Sequence, residues 1–502
     1  MNRSRAILLT LLAVAAASYL GIHFARSLIG KTKNQSASNF DYPKNTVNKA
    51  EIRTLLQEKR FPELNQTLSA VQSSFEKDPR NEYICFDTFQ SFHITNDAIE
   101  SPLNEWVTKT PNAYSHLGFA LYHYAKAWEG RGGKWANQTS KEQFSGMEDH
   151  FAIAQKNIAM ALKENRKLLS AYWMLIQMAK ADGDSTDVRA AFERGSKTIP
   201  RSLILRAAYM DALTPRWGGS YAEMQVFATR SRLNSSVNPA FAVLSGLIDL
   251  DKGQLLEDDQ KNEEALRYYN HAFESGNYWL FYESRGRLYC RMERYHEGLA
   301  DLTRALELRP QRMPTLIYHA GALAGNQQFE KALEEFQLAA STDPNDPELK
   351  GWKDWSAARI DRIAYQTFPK DHKKGLDLYN LAAKLQPAYA QTFAYRGYSF
   401  SQTGETDKAI ADLKTAMQID PHDITAYQYM KRILGKQSKW DEILPYWDQY
   451  IALEPNNALA YLERGGTYFR KGDLVDATAD AKKACDLGNQ EGCQHFKELS
   501  VK

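Results

Sequence analysis

Apolar residues recur at every third or fourth position through most of this 502-residue chain, with polar residues between them. Such spacing predicts amphipathic α-helices, because it collects the apolar side chains on one helical face. No segment of the sequence combines a sustained period of two with β-branched enrichment, which would indicate a strand. The pattern therefore predicts an all-α fold.

A largely apolar run without Asp, Glu, Lys or Arg occupies residues 6–25. Twenty helical residues span about 30 Å, the thickness of a bilayer core, so residues 1–30 are predicted to be a signal anchor in a membrane. Ala15 and Ala17 also fit the cleavage site of a signal peptide that is removed. Both alternatives export the rest of the chain. Residues 31–48, rich in Lys, Asn, Ser and Thr, are predicted to be a flexible tether.

Prolines mark a repeat in the second half of the chain. Helical segments end at Pro310, Pro344, Pro387, Pro421 and Pro455. Three of the four intervals are 34 residues, and the fourth is 43 because extra residues fall in "PELKGWKDW". Small residues recur in the same register, where two helices must approach closely. They include Gly286, Ala320, Gly397 and Gly465 in the first helices, and Gly298, Ala332, Gly375, Ala409 and Ala477 in the second.

A period of 34 residues is that of the tetratricopeptide repeat, and residues 279–489 resemble six consecutive units of this family. Each unit is a hairpin of two antiparallel helices, and successive hairpins stack. The resemblance implies a right-handed α-solenoid of helical hairpins, preceded by the membrane-spanning helix or signal segment. Residues 490–502 are predicted to form a capping helix.

Three of the repeats share an Arg that is followed sixteen residues later by an Asp. These positions can face each other across the two helices of a hairpin. We predict intra-repeat salt bridges that set the register of the two helices. The pairs are Arg285 with Asp301, Arg396 with Asp412, and Arg464 with Asp480.

Residues 49–233 are predicted to form a separate helical domain, since the helical periodicity continues there with looser spacing. The segments "AWEGRGG" and "PRWGGS" resemble DUF4034, a bacterial domain family without established activity that often precedes tetratricopeptide repeats. The resemblance implies a periplasmic body held at the inner membrane through residues 6–25, or a soluble periplasmic protein after signal cleavage. Residues 234–278 are predicted to be a linking hairpin whose two helices are joined by the polar loop "DKGQLLEDDQKN".

The segment "TPRWGGS" interrupts the helical pattern and is predicted to be a structural corner. A proline stops the preceding helix, and two glycines permit the positive φ values of a sharp turn. The tryptophan is expected to pack into the junction, and the arginine to bond exposed helix-end carbonyls. The corner residues are Pro215, Arg216, Trp217, Gly218 and Gly219.

Candidate chemistry is sparse. His116, His123, Glu148 and His150 make an imaginable metal site, but the two helical histidines are seven apart, so ordinary packed histidines are favoured. Neither a P-loop nor a G-x-S-x-G motif occurs in the sequence. The formal net charge is only +2, with interspersed charges, which argues against a nucleic-acid partner. The sequence therefore predicts no catalytic residue, metal or cofactor.

Cys485 and Cys493 flank "DLGNQEG", which would end one helix and begin the next. Antiparallel helices joined this way bring the two thiols within bridging reach, and an exported body allows a disulfide to persist. The segment also resembles the cysteine-linked hairpins of Sel1-like repeats. A bridge across so short a loop would fix the C-terminal cap.

The surface available for binding is the concave side of the repeats, where the family usually holds a peptide or protein on its first helices. The leading hypothesis is a membrane-tethered scaffold or adaptor for another envelope protein. The alternative is an enzyme or small-ligand receptor with a pocket around Arg131 and Arg216; a purely structural spacer is a third possibility. The predicted groove residues are Glu283, Arg287, Gln391, Tyr398, Gln428 and Arg432.

Overall fold

The computed structural model describes residues 49–132, 138–183, 185–234, 236–310 and 312–501. Within those ranges every regular element is a helix, and the all-α prediction is confirmed. The predicted anchor or signal segment, the tether and residues 6–25 lie outside the described residues. None of the helices that the structure describes is long and apolar enough to cross a membrane.

The chain forms two compact units, each with its own core. The first contains residues 59–278 and the second contains residues 279–501, so their boundary follows Tyr278, where the repeats were predicted to begin. One helix that the sequence assigns to the predicted domain 49–233 belongs to the other unit. Helix α1, Lys49–Gln57, belongs to the second unit, where the Arg53 side chain donates a hydrogen bond to the carbonyl of Thr342.

The first unit is a succession of helices joined by short turns. Its α-helices are α2 (Phe61–Lys77), α3 (Glu82–Phe89), α4 (Glu100–Lys109), α5 (Ala113–Arg131), α6 (Lys141–Glu164), α7 (Leu169–Asp182), α8 (Ser185–Thr198), α9 (Leu203–Ala212), α10 (Tyr221–Leu233), α11 (Gly246–Asp258) and α12 (Asn262–Ala272). Capping boxes start α5 at Asn112 and α6 at Ser140, where each side chain accepts a hydrogen bond from the third backbone N–H. Trp106 and Leu121 lie fully buried in the core of this unit.

The predicted polar loop of the linking hairpin is mostly helical, since α11 continues to Asp258. A buried contact explains the difference. The hydroxyl of Tyr269 on α12 donates a 2.6 Å hydrogen bond to Glu257, and both side chains are buried. One carboxylate of this polar segment, Glu257, is therefore buried and links α11 to α12.

Besides α1, the described part of the second unit contains six helical hairpins and a capping helix, as the repeat register predicts. In chain order, its hairpins are α13 (Trp279–Arg291) with α14 (Tyr295–Leu308), α15 (Met313–Gly325) with α16 (Phe329–Thr342), α17 (Pro347–Thr367) with α18 (His372–Leu385), α19 (Ala390–Gln402) with α20 (Thr406–Ile419), α21 (Ile424–Lys436) with α22 (Trp440–Leu453), and α23 (Ala458–Lys471) with α24 (Leu474–Asp486). The cap is α25, Gln490–Ser500. The extra residues of the third repeat lengthen α17 to 21 residues, whereas α19 and α21 have 13.

The three predicted ion pairs are confirmed. In each, the Nε atom and a terminal nitrogen of the guanidinium donate to the two carboxylate oxygens at 2.7 or 2.8 Å. All three carboxylates are buried, which makes these pairs stronger constraints than exposed salt bridges. The pairs are Arg285–Asp301, Arg396–Asp412 and Arg464–Asp480.

Two of these arginines also bind the preceding hairpin. Arg396 donates to Asn380 at 2.9 Å and Arg464 to Asp448 at 2.7 Å, in each case sixteen residues earlier. His319 occupies the same register position in the second hairpin, where its Nδ1 lies 2.6 Å from Glu335. Its Nε2 also lies 2.9 Å from the hydroxyl of Thr303 in the first hairpin. A polar side chain at this position therefore links the two helices of its own hairpin and, at His319, Arg396 and Arg464, also links that hairpin to the preceding one.

A disulfide joins Cys485 on α24 to Cys493 on α25, the pairing that the sequence predicts, with Cα atoms 4.4 Å apart. Among the described residues of α25, only Gly492 is buried, and it has no side chain. This helix therefore contributes little to a hydrophobic core. The covalent link therefore carries much of the attachment of the cap. Cys85 and Cys290 are buried thiols, and burial raises the pKa of Cys290 to about 12.

Candidate functional site

A groove of about 800 Å³ opens between α21, α23 and the capping helix α25 in the second unit. We call it the repeat groove. Residues spaced three and four apart on the two first helices form its walls, because such residues share a helical face. The wall residues are Gln428, Lys431, Arg432, Gly435 and Lys436 on α21, Leu462, Glu463, Gly465, Gly466, Phe469 and Arg470 on α23, and His495, Glu498 and Leu499 on α25.

The polar groups of the repeat groove are held around one carboxylate. Glu463 accepts a 2.6 Å hydrogen bond from the Lys431 ammonium and a 3.2 Å hydrogen bond from the Gln428 amide. Arg432 and Arg470 have no carboxylate within 4.0 Å among the described residues. The groove thus presents two guanidinium groups that lack a carboxylate partner in the described part of the chain, beside a fixed ion pair.

Aromatic rings extend the surface from the groove onto α19. Tyr398 stacks on Tyr429 with ring centroids 4.6 Å apart, and the Arg432 guanidinium lies 5.0 Å from the Tyr398 centroid. Phe469 exposes 44% of its surface although it is a large apolar residue. Exposed aromatic surface beside guanidinium donors suits a peptide, which offers both apolar side chains and backbone carbonyls.

Three of the six predicted groove residues lie in or beside this surface. Gln428 and Arg432 line the repeat groove, and Tyr398 contacts Arg432. Gln391 is exposed on α19, where it accepts a 2.8 Å hydrogen bond from the Tyr389 hydroxyl. Arg287 belongs to the first hairpin, far in sequence from the repeat groove. Its guanidinium lies over the Tyr318 ring, 4.6 Å from the centroid.

The assignment of Glu283 to an open groove is wrong. Its side chain is 1% exposed and accepts hydrogen bonds at 2.6 and 3.0 Å from Arg312, together with one from the Thr315 hydroxyl. These partners begin the next hairpin, so Glu283 joins hairpins one and two. Arg312 follows Pro310 closely in sequence, but its reach to Glu283 depends on how the hairpins stack.

Neighbouring glycines on α23 have opposite surroundings. A Cβ atom on Gly465 would lie 3.1 Å from the Cβ of Asp480, whereas one on Gly466 would meet only the flexible Lys431 ammonium, at 3.3 Å. Gly465 therefore permits the close approach of α23 and α24, and Gly466 leaves the repeat groove open.

This contrast predicts different effects for the same substitution. Gly466→Ala should leave stability unchanged or raise it by up to about 1 kcal/mol, because alanine favours a helix. Gly465→Ala should lower stability relative to Gly466→Ala by about 2 kcal/mol, because overpacking pushes the helices apart. Urea unfolding of the two variants measures the difference, and equal stabilities would contradict the assignment.

The predicted corner is a single turn of 3₁₀-helix, Pro215–Trp217, that precedes α10. Gly218 has a φ of 86°, a left-handed value that favours glycine, and Ser220 caps α10 through the N–H of Glu223. The predicted partner of Arg216 is corrected. Its Nε lies 3.6 Å from the Asp251 carboxylate on α11 instead of at helix-end carbonyls.

The remaining corner residues also have structural contacts. Trp217 is half-buried, with the Lys180 ammonium 4.6 Å from its ring centroid. A side chain on Gly219 would overlap the carbonyl of Leu213. Arg131, the other arginine of the alternative pocket, lies 5.4 Å from the Trp128 ring. Both arginines therefore already have protein partners.

The three histidines of the candidate metal site make two separate contacts. The Nδ1 atoms of His123 and His150 are 2.8 Å apart, and the Nδ1 of His116 lies 2.9 Å from the Asn157 side chain. Burial lowers the pKa of His123 to about 4. No group of three or more His, Cys, Asp or Glu is arranged to hold a metal ion within the described ranges.

Family models match both halves of the sequence. Residues 48–183 match the domain of unknown function DUF4034, and residues 283–347, 391–423 and 432–491 match tetratricopeptide repeats. The chain combines a DUF4034 domain with tetratricopeptide repeats. The corner at Pro215–Trp217 lies beyond the matched domain, so its motif is not one that the match covers.

Several curated proteins share similarity with part of the chain. The small glutamine-rich tetratricopeptide repeat-containing protein 2 of Mycosarcoma maydis is 31% identical over 88 residues, which is 18% of this chain and 25% of that protein. The Hsp70-Hsp90 organizing protein of Triticum aestivum is 29% identical over 100 residues, 20% of this chain and 17% of that protein. Protein O-mannosyl-transferase TMTC1 of Homo sapiens is 25% identical over 215 residues, 42% of this chain and 22% of that protein. The chain thus spans a quarter or less of these relatives.

Solved structures with similarity include YrrB, described as a tetratricopeptide-repeat protein with an unusual peptide-binding site. It is 19% identical, with a TM-score of 0.28, and the match covers 41% of this chain and 97% of that one. The C-terminal part of a repeat protein from Cytophaga hutchinsonii is 16% identical, with a TM-score of 0.34, over 49% of this chain and 99% of that one.

Proposed function

We propose that this protein is a scaffold that binds a peptide or protein partner in the repeat groove, with the first helices on the concave side of a right-handed solenoid. The observation that carries the proposal is the open groove between α21, α23 and α25, which has a volume of about 800 Å³. Its exposed aromatic ring, its guanidinium groups without a carboxylate partner among the described residues, and its fixed carboxylate offer both apolar and polar contacts. The protein acts by binding and not by catalysis.

Gly466 supports this use of the surface. A side chain at this register position would occupy the groove, as Arg432 does one repeat earlier. The same position two repeats earlier is Tyr398, whose ring contacts Arg432. A glycine inside a helix costs about 1 kcal/mol relative to alanine. Here that cost leaves an opening on the binding face, beside Lys431 and Glu463.

The proposed location is the periplasmic face of a bacterial inner membrane, with another envelope protein as partner. The apolar run at residues 6–25 supports an anchor, and Ala15 and Ala17 support a cleaved signal. The intact mass of the protein isolated from cells decides between them: retention of residues 1–17 supports the anchor, and their loss supports the soluble form.

Filling the groove should strongly weaken partner binding. We expect Gly466→Tyr in the full chain to reduce recovery of a specific partner from an envelope extract by about tenfold or more, because the ring occupies the binding surface. Gly146→Tyr is the matched control, since Gly146 also lies in a helix and has open space around it. Recovery of every partner at equal yield by both variants and the unaltered chain would count against the repeat groove.

A further inference from the structure

A second surface lies in the first unit, where α8 and α10 form the walls of a trough and α9 forms its floor. We call it the N-terminal trough. Its volume is about 540 Å³. Along α10 it is lined from Ala222 to Asn234, which corresponds to about 18 Å of helix at 1.5 Å per residue. This length suits three turns of a docked helix.

Aromatic rings form the apolar base of the trough. Phe192 stacks on Tyr209 with centroids 4.4 Å apart, and Phe227 meets both rings edge-on at 5.2 and 4.8 Å. Val226 stands beside them with 50% of its surface exposed. The three rings pack on each other across α8, α9 and α10, so the base is preformed. Phe192 and Tyr209 are largely buried, and the half-buried Phe227 with Val226 provides the apolar area that a ligand can reach.

Positive charge exceeds negative charge around this base. Arg189, Arg206 and Arg230 line the trough together with Glu193 and Glu223. None of the three arginines has a carboxylate within 4.0 Å among the residues that the structure describes. The trough thus offers three guanidinium groups that a ligand carboxylate could pair.

Arg206 is the most constrained of these arginines. Its guanidinium lies 4.0 Å from the Phe241 centroid and donates a 2.9 Å hydrogen bond to the carbonyl of Ser202. Burial lowers its pKa to about 10, and the more distant Glu82 carboxylate only partly offsets that effect. Glu82 is itself committed to the start of α9, where it accepts hydrogen bonds from Ser202 and Leu203. A half-buried cation of this kind favours an added anionic partner.

We propose that the N-terminal trough binds an amphipathic helix of a partner protein, with apolar side chains on the aromatic base and acidic side chains against Arg206 and Arg230. The charge excess selects an acidic helix over a basic one. The length and the ring-lined base select a helix-in-groove mode. This site is separate from the repeat groove, so the chain would have a docking surface in each of its two units.

Peptide selection tests this proposal without knowledge of the partner. Random 16-residue peptides are displayed and selected on the full chain carrying Gly466→Tyr, which removes ligands of the repeat groove. Selected peptides are synthesised, and their affinities are measured by fluorescence anisotropy. We expect acidic peptides with apolar residues three and four apart, and we expect a central proline to abolish their binding.

Two neighbouring arginines provide a matched comparison. Arg230 lines the trough, whereas Arg232, also exposed in the last turn of α10, does not. Arg230→Glu should weaken the selected peptides by about tenfold or more, and Arg232→Glu should change their affinity less than about twofold. Val226→Glu should also weaken binding, because it places a charge on the apolar base.

Three results would overturn the proposal: selected peptides without acidic residues, equal affinities for Arg230→Glu and Arg232→Glu, or no peptide sensitive to either Arg230→Glu or Val226→Glu. Failure here is distinguishable from failure of the repeat groove. The trough is measured on a background in which that groove is filled, and the groove is measured by comparing the unaltered chain with Gly466→Tyr.

Discussion

Replacing Arg464 with methionine should lower the free energy of unfolding by about 3 kcal/mol, because a buried carboxylate then loses its counter-ion. Asp480 is only 5% exposed and receives two hydrogen bonds of 2.8 Å from this guanidinium. The same side chain holds Asp448 of the preceding hairpin at 2.7 Å. The substitution should therefore loosen both the sixth hairpin and its contact with the fifth, which urea unfolding and amide hydrogen exchange in α23 and α24 would measure.

Two controls separate this burial effect from the loss of any salt bridge. Lys482→Met removes a pair with Asp486 whose side chains are more than half exposed, and should cost less than about 1 kcal/mol. Arg464→Met combined with Asp480→Asn should recover at least half of the lost stability, because no buried charge then remains at residue 480. If Arg464→Met and Lys482→Met have the same effect, the pair does not constrain the hairpin.

The hairpins could be predicted from the sequence because each is a local structure. The proline spacing fixes the register, and sixteen residues separate facing positions on the two helices of one hairpin. That distance depends on a single turn, so the repeat register alone is enough to pair Arg396 with Asp412. The contact of Arg396 with Asn380 belongs to the preceding hairpin and was missed, because it depends on the angle at which hairpins stack.

The candidate site could be predicted only in part, for the same reason. Gln428 and Arg432 lie on the open face of a first helix and were found from the register. Glu283 has an equally polar sequence context, yet Arg312 and Thr315 from the next hairpin cover it. The capping helix contributes His495 to the groove through a fold-back that no repeat register includes.

The N-terminal trough shows a further limit of sequence patterns. Its base combines Phe192, Tyr209 and Phe227 from three helices. The sequence pattern of each single helix predicts only an ordinary core residue at that position. The absence of a carboxylate within 4.0 Å of Arg206 among the described residues is visible only when the neighbours in space are known. A chain-wide excess of two positive charges gives no sign of such a local imbalance.

Replacing Asp361 with asparagine should stabilise the second unit by about 2 kcal/mol at pH 8. The carboxyl is 2% exposed, its Oδ2 accepts a 2.7 Å hydrogen bond from Thr392, and its Oδ1 is buried without a partner among the described residues. Burial raises its pKa to about 7, against an ordinary value near 4, and Thr392 and Arg396 only partly oppose the change. Ionisation at pH 8 therefore leaves a poorly solvated charge between hairpins three and four.

The pH dependence gives the sign of the effect. Because the folded state binds the Asp361 proton more tightly than the unfolded state, stability falls as the pH rises from about 4 to about 7. A difference of three pKa units corresponds to about 4 kcal/mol, and structural relaxation reduces the expected value to about half of that. Asparagine keeps an acceptor for Thr392 and carries no charge, so the variant should lack this dependence.

Unfolding by urea at pH 5 and pH 8 measures the prediction. Asp361→Asn should match the unaltered protein within about 1 kcal/mol at pH 5 and exceed its stability at pH 8. Asp377→Asn is the control, since Asp377 is an exposed carboxylate on α18 of the same hairpin and should change stability by less than about 0.5 kcal/mol at either pH. A loss of stability on Asp361→Asn at pH 8 would show that the ionised carboxylate has a compensating partner, and that its charge supports the junction of the two hairpins.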